Sequence, residues 1–367
     1  MIYKPFGKTG KNISAISFGA MRFKPEEYKA GPEQCAEILL RAKELGVNLF
    51  DTAPLYCDDK SEGIVGCAMR QIRGERPYVA TKCGFGQART ADEAYAQVQK
   101  SRDRLCIDTI DFFYMWCIRT IDEYWEMIKP GGVYEGLLRA QSDGLITHIC
   151  TSTHVDGDSL ATIAQDGKSD VILLGYNALN FAYRRGGLLA CHEAGVGTVV
   201  MNPLGGGIIP RYADKFSFLK QSPDESIAQS ALRFLIGQKE ITAALPGPAS
   251  IAELEDCVAA ADHVTEVTEQ TVAELAKHLS GEMDTLCTSC GYCDHCPADI
   301  PIVELMTTYN TYMLEDNIDL LKNLVGDWWN LTPDVAGKCT ACGVCEKLCT
   351  QHLPIIERLG VIAGLAD

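Results

Sequence analysis

The sequence predicts an α/β chain: a (β/α)8 TIM barrel followed by a small C-terminal module rich in cysteine. Two observations carry that expectation. Short apolar runs alternate with stretches of helical periodicity through the first 260 residues, the pattern of parallel βαβ units. From Cys287 onward that pattern gives way to two runs of closely spaced cysteines, CTSCGYCDHCP and, from Cys339, CTACGVCEKLC.

Taken in order, IYKPF (2–6) and NISAISF (12–18), joined by GKTGK, form a hairpin that runs directly into the first barrel strand. A helical stretch at Pro32–Leu45 leads to VNLF at 47–50. Helix 61–73 precedes YVAT at 78–81, helix 92–105 precedes IDFFYM at 110–115, and helix 132–142 precedes ITHIC at 146–150. A short helix near 157–165 leads to VILLGY at 171–176, helix 186–194 to GTVVM at 197–201, and helix 224–237 to ITAAL at 241–245. Counting ISAISF, eight strands result, the number that closes a barrel. A doubly wound open sheet is the alternative, and no G-x-G-x-x-G opens the first βα turn as that fold would require. Helix 251–260 follows the last strand, and VTEQTVAELAKHLS (267–280) reads as a bridge. The domains are expected at 1–262 for the barrel, 263–285 for the bridging helix and 286–367 for the module. Within the module, 302–324 is apolar at helical spacing, and Trp328 and Trp329 are expected to pack it on itself or on the barrel.

Composition narrows the function. The 367 residues are 47% hydrophobic, and the 17 cysteines suit a reducing, cytoplasmic compartment in which thiolates serve as ligands. The N-terminus lacks the apolar core of a signal peptide, and no apolar run is long enough to insert in a membrane. A net charge of −16 argues against nucleic acid as a partner. Residues 281–367 alone hold 13 acidic and 4 basic side chains. Such a surface is either a solvated face or a dock for a redox protein with a basic patch.

Four thiolates hold one iron–sulfur cluster, and C-x2-C-x2-C spacing wraps three of them round one face of a cube. Eight cysteines in two such runs therefore point to two [4Fe-4S] clusters. Zinc, which takes its ligands in separated pairs, fits the spacing less well.

In a barrel of this kind the chemistry gathers in the loops after the strands. Asp51 and Tyr56 follow strand two, and Lys82 follows strand three. Trp116 and Cys117 follow strand four, Ser152 and His154 strand five, and Tyr176 and Asn177 strand six. Met201, Pro203, Leu204, Gly205, Gly206 and Gly207 follow strand seven, with Pro246 and Gly247 after strand eight. A tyrosine with a pKa of about 10 is a poor acid unless a cation lies near its hydroxyl. Lys82 can supply that charge, and Asp51 can hold Lys82. Such a set protonates a carbonyl oxygen while hydride reaches the carbon.

FGKTGKNISAISFGAMRF, GVNLFDTAPLY, SEGIVGCAMR, VATK, CIDTIDFFYMW and ITHICTSTH resemble the successive motifs of the aldo-keto reductase family. With its cysteine runs the chain is similar to the subgroup carrying a C-terminal two-[4Fe-4S], ferredoxin-like domain. The resemblance covers about 1–258 and 286–358. It implies NAD(P)-linked carbonyl reduction or alcohol oxidation with Tyr56 as acid/base, supported by Asp51 and Lys82. It implies that Ser152 and Asn177 hold the nicotinamide carboxamide and that Gly205–Gly207 approach the pyrophosphate. Ferredoxin connectivity implies one cluster on Cys287, Cys290, Cys293 and Cys349 and another on Cys339, Cys342, Cys345 and Cys296.

The chain departs from the family pattern at several positions. Trp116 stands where a substrate-binding histidine is usual, and an indole donates a hydrogen bond but does not titrate. Gly175 replaces a carboxamide-binding Gln, and Cys257 an adenine-binding Asn. After strand eight there is no basic residue but Glu253, Glu255 and Asp256, which would repel the 2′-phosphate of NADPH, so NADH is the expected cofactor. Cys57, Cys83, Cys117 and Cys150 cluster near the barrel mouth, as packing residues or as ligands of an additional metal. The expected partners are a small carbonyl or alcohol substrate and a redox protein such as ferredoxin or flavodoxin. Two alternatives stand beside this reading: a ferredoxin-driven reductase with vestigial nicotinamide binding, and a non-catalytic electron-transfer subunit.

Overall fold

Eight parallel strands share one sheet in the computed structural model, which describes residues 1–278, 285–329 and 331–366, the Trp328 side chain excepted. A hairpin of β1 (Tyr3–Pro5) and β2 (Asn12–Ser14) precedes them. The barrel strands are β3 (Phe18–Gly19), β4 (Leu49–Asp51), β5 (Tyr78–Cys83), β6 (Ile110–Ile118), β7 (Ile146–Thr153), β8 (Val171–Gly175), β9 (Gly197–Met201) and β10 (Ala243–Leu245). Each pairs with its sequence neighbour, from β3 through to β10. Hydrogen bonds from Ser17 N to Ala244 O (2.9 Å) and Gly19 N to Pro246 O (2.8 Å) bring the first and last strands together, so the barrel is nearly closed. The open-sheet alternative is thereby discarded.

The helices start where the sequence supplies caps. Thr90 and Glu93 cap helix Ala91–Leu105 reciprocally, and Thr120, Asp156, Ser226 and Ser250 each accept the N–H three residues on. Two barrel helices, Pro25–Ala30 and Ile121–Ile128, were not expected, and helix Phe181–Glu193 begins five residues before its expected start at 186. The strands also run further than their apolar runs suggested. β5, β6 and β7 continue through Lys82, Trp116 and Ser152, because polar residues facing the barrel interior keep the ladder hydrogen bonds of their apolar neighbours.

The chain divides into two units, Met1–Leu204 with Leu219–Thr268, and Gly205–Phe218 with Glu269–Asp367. The first is the barrel. The second holds helix Glu269–His278 and gathers helices Ile302–Glu315, Ile318–Trp329, Val344–Leu348 and Ile355–Ala363 around a core of Ile302, Leu305, Leu321, Ile355, Leu359 and Ile362. The bridge expected over 267–280 is thus a shorter helix, and its last two residues lie outside the described residues. The single helix expected over 302–324 is two, broken at Asp316, which adopts the left-handed conformation. Trp329 donates its Nε1–H to Thr308 Oγ1 at 2.9 Å, packing the unit on itself, whereas the Trp328 side chain is outside the described residues. Among the described residues no helix is long and apolar enough to cross a membrane.

Candidate functional site: the barrel mouth and the cysteine module

The mouth is built by strand alternation. Leu49, Ala80, Phe112, Tyr114, Cys150, Leu173, Val199 and Ala243 fill the barrel interior. Residues two further along a strand share its face. Asp51, Lys82, Trp116, Ser152, Gly175 and Met201 therefore rim the next layer up. Tyr114 pairs in register with Lys82. The alternation Phe112, Tyr114, Trp116 could have flagged Tyr114 as a site residue from sequence.

Lys82 and Asp51 form a buried ion pair, and Lys82 Nζ also donates to Thr52 O at 2.7 Å. Burial pushes the Asp51 carboxyl up and the Lys82 ammonium down, and the pairing opposes both shifts. The ammonium lies 5.1 Å above the centroid of the Tyr56 ring and 5.8 Å from that of Tyr114. Trp116 meets Tyr56 edge to face at 5.6 Å. Asp51, Tyr56, Lys82 and Trp116 thus converge. The phenol itself behaves differently from the expectation. Burial raises its pKa well above the ordinary value, Asp51 and Cys117 add to the rise, and the cation that opposes it is Arg22. The Lys82 charge is matched by Asp51 instead. Arg22 was missed in the sequence, where a base directly after the first strand, in FGAMRF, was its signal.

The segment that presents Tyr56 is strained. Leu55, Cys57, Asp58 and Asp59 all have positive φ, from 54° to 71°, which costs about 1–3 kcal/mol each for residues with a Cβ. Arg104 holds it by a two-pronged contact with Asp59 (2.8 and 2.7 Å), which keeps that carboxyl below the usual range. At Trp116 a register shift between Met115 and Ile118, with Cys117 at φ 62°, bends β6.

On the opposite rim, the hydroxyl of Ser152 is buried and has no hydrogen-bond partner. An orphaned buried polar group of this kind suits an amide that arrives with a cofactor. Asn177 is less free. Its Oδ1 accepts from Leu179 N (2.8 Å) and Asn180 N (3.2 Å), and its Nδ2 donates to Asn202 O (2.9 Å). One N–H remains, so Asn177 can donate to a carboxamide oxygen but not accept from its NH2. Beside Gly175 a side chain would meet Arg184 and His154 at 3.6 and 3.7 Å. Arg184 donates to the carbonyls of Val155, Gly175 and His154, tying together the ends of β7 and β8. Burial, with Arg184 and Arg119, lowers the His154 pKa to about 3, which keeps the imidazole neutral.

Met201, Pro203, Leu204, Pro246 and Gly247 belong to the barrel unit. Gly247 lies against Gly19 O and the Arg22 stem, where a Cβ would come within 3.2 and 3.1 Å. Gly205, Gly206 and Gly207 belong to the second unit, all with positive φ. A Cβ on Gly206 would approach Thr288 O to 2.2 Å, so contact with the loop after Cys287 itself demands glycine there. The three carboxylates after strand eight are engaged: Glu253 with Ala249 N, Glu255 with Arg41, and Asp256 with Ser226 and Gln229.

In the second unit, Cys287, Cys290, Cys293 and Cys349 lie within reach of one another's charge, and burial pushes the Cys287 thiol up to about 12. Of the other set, Cys345 is close to Cys339, Cys296 packs with Cys339 against the same core, and Cys342 is exposed. The two runs, alike in spacing, are also alike in backbone conformation. Ser289 and Ala341 have φ of 49° and 54°, and their N–H groups donate to Cys287 and Cys339 Sγ at 3.4 Å. Gly291 and Gly343 follow with φ of 81° and 74°, then Asp299 and His352 with 53° and 54°. Pro301 and Pro354 next begin helices Ile302–Glu315 and Ile355–Ala363. Backbone donors aimed at sulfur, and thiols within reach of one another's charge, fit cluster ligation. Asn310 fixes the first loop by bonding both Cys287 N and Cys287 O at 2.7 Å.

Cys150 is part of the interior core, and burial raises the thiols of Cys57 to about 11 and Cys83 to about 12. Cys117 lies in the β6 bulge. Among the described residues no three His, Cys, Asp or Glu groups are arranged to hold a single metal ion.

Comparison with known proteins agrees with this geometry. Residues 286–353 match a 4Fe-4S dicluster domain. The NADH-specific methylglyoxal reductase of Escherichia coli is 28% identical over 48% of this chain, and the match spans 58% of that protein. L-Galactose dehydrogenase of Arabidopsis thaliana is 26% identical over 70% of the chain and 87% of its own length. An aldo-keto reductase from Klebsiella pneumoniae, solved with NADPH, superposes with a TM-score of 0.62 at 20% identity, covering 76% of this chain and 95% of its own. The aldo/keto reductase family matches residues 15–280, most of the chain. With its parallel barrel, and with a 4Fe-4S dicluster domain after it, the protein belongs to the aldo/keto reductase family of oxidoreductases.

Proposed function

We propose that the protein is an NADH-linked oxidoreductase that reduces a small carbonyl compound, or oxidises the corresponding alcohol, at the barrel mouth and exchanges electrons through two [4Fe-4S] clusters. The observation that carries this reading is the buried Lys82–Asp51 pair, with the Lys82 ammonium 5.1 Å over the Tyr56 ring. When bound, the nicotinamide would supply or accept hydride at the substrate carbon. Tyr56 gives the proton to the substrate oxygen, or takes it in the oxidative direction. Asp51 and Lys82 set the field around it, and Trp116 narrows the pocket and offers one N–H to the same oxygen. Ser152 and the spare N–H of Asn177 would hold the carboxamide. Met201, Pro203, Leu204, Pro246 and Gly247 would line the rest of the nucleotide; for Gly205, Gly206 and Gly207 that role rests on the family resemblance alone. Cys287, Cys290, Cys293 and Cys349 would bind one cluster, and Cys296, Cys339, Cys342 and Cys345 the other.

The relatives' named substrates, methylglyoxal and L-galactose, support a small polar carbonyl or hydroxyl compound as the substrate class. The acidic module, with 13 acidic and 4 basic side chains over 281–367, supports a basic redox protein such as a ferredoxin or flavodoxin as partner, in the cytoplasm. The preference for NADH rests on Glu253 and Asp256, whose hydrogen-bond partners are neutral, since Glu255 is matched by Arg41. Calorimetry should show NADH binding more tightly than NADPH. Glu253→Lys should reduce that preference several-fold, an exposed charge being worth about 1 kcal/mol at most. A second reading, a reductase fed through its clusters without nicotinamide, is favoured by Arg184 and His154 standing in the space beside Gly175. Absence of NADH binding would decide for it.

A further inference from the structure

The backbone repeat in the second unit makes one difference between its halves conspicuous. Nine residues after Cys296 stands Leu305, and nine after Cys349 stands Arg358, each in the first turn and a half of a helix begun by a proline. Both are buried, Leu305 fully and Arg358 with 4% of its surface exposed. One half of the repeat therefore places an apolar side chain where the other places a cation.

Arg358 is held in a defined orientation. Its Nη2 donates to Thr285 O at 2.8 Å, and its guanidinium lies 5.0 Å from the Tyr309 ring centroid. The thiols whose charge acts on it are Cys287 and Cys349, both of the set gathered around the first loop. Its Nη1 is buried and has no hydrogen-bond partner, and the same is true of the Thr288 hydroxyl, one residue after Cys287. A buried donor left unmade costs about 1–3 kcal/mol, so two of them on one thiol set call for acceptors not supplied by the protein. The sulfur atoms of a cluster held by those thiols are such acceptors. Adding an electron to a four-thiolate cluster increases its negative charge, and a buried cation and added hydrogen bonds favour that state, which raises the reduction potential.

We propose that Arg358, assisted by Thr288, makes the two clusters unequal. The cluster on Cys287, Cys290, Cys293 and Cys349 has the higher potential and is the first to accept an electron, while its counterpart beside Leu305 has the lower. This rests on the cluster reading of the eight cysteines, and on nothing in the barrel.

The test is a dithionite redox titration of the reconstituted full-length protein, followed by electron paramagnetic resonance, after iron and sulfide have been counted. The wild type should show two separated one-electron midpoints. Arg358→Leu, which copies Leu305, should lower only the upper one, so that at fixed ambient potential the reduced-to-oxidised ratio of that cluster falls at least tenfold, about 59 mV. Arg358→Lys should keep most of the gap, and Thr288→Val should lower the same midpoint by less. Arg358→Leu with both midpoints as in the wild type, or with both displaced equally, would overturn the proposal. Should that variant fail to assemble its clusters, Thr288→Val decides, and an unchanged upper midpoint there overturns it as well. A wild type without two clusters would show up already in the iron count and would overturn the cluster reading itself.

Discussion

Replacement of Tyr56 by Phe is expected to cost about 10²–10⁴ in turnover, the usual contribution of a positioned general acid, while nicotinamide affinity stays close to that of the wild type. The ring keeps its place, because the Lys82 ammonium over its face and the Trp116 edge against it are contacts of the ring and not of the hydroxyl. What disappears is the proton at the substrate oxygen. The same phenol sets the pH dependence. Burial, and then the Asp51 charge, raise its pKa well above the ordinary value. The acid form therefore persists through and beyond pH ~10, the range in which a free phenol would ionise. Carbonyl reduction should show no loss attributable to this group up to that pH. Alcohol oxidation, which needs the base form, should go on rising with pH. Stopped-flow rates in both directions, measured across pH in wild type and Tyr56→Phe, check both statements.

Lys82→Met is expected to have the largest effect on stability, about 3–5 kcal/mol, because it leaves the Asp51 carboxylate buried without its counter-ion. It also removes the donor to Thr52 O. Asp51→Asn combined with Lys82→Met should recover much of that loss, since neither charge then remains. It should recover no activity, since the field around Tyr56 is not restored. Urea unfolding followed by circular dichroism, set beside turnover, separates the two effects. A double variant as unstable as the single one would mean that the pair acts by packing and not by charge.

The barrel was legible in the sequence because its signal is local. Apolar runs such as VILLG and GTVVM face the interior in every other residue, and the loops after them carry the Asp51, Tyr56 and Lys82 set. Strand ends were harder to place, since Lys82, Trp116 and Ser152 are polar or bulky residues that remain in the ladder while facing the mouth. Partnerships between distant residues were not legible at all. That Arg22 opposes the rise in the Tyr56 pKa depends on the strand end before it, Gly19 and Ala20, being pinned to Pro246 and Asp51 through backbone hydrogen bonds. The triple glycine after β9 was read as room for a phosphate, whereas Gly206 is also required by its close approach to Thr288. The cysteine spacings announced the module. The matching backbone conformations at Ser289 and Ala341, and the contrast of Leu305 with Arg358, needed the fold.

A proton-transfer site in the barrel is thus paired with electron transfer in the module, and the response of the clusters to NADH shows whether the two communicate. NADH is added anaerobically to the reconstituted protein, and the visible absorbance of the clusters is followed. The proposed electron exchange requires saturable bleaching, complete with one NADH per chain, since NADH becoming NAD+ gives up two electrons, one to each cluster, and a proton to solvent. NADH that binds and leaves the absorbance unchanged would contradict it.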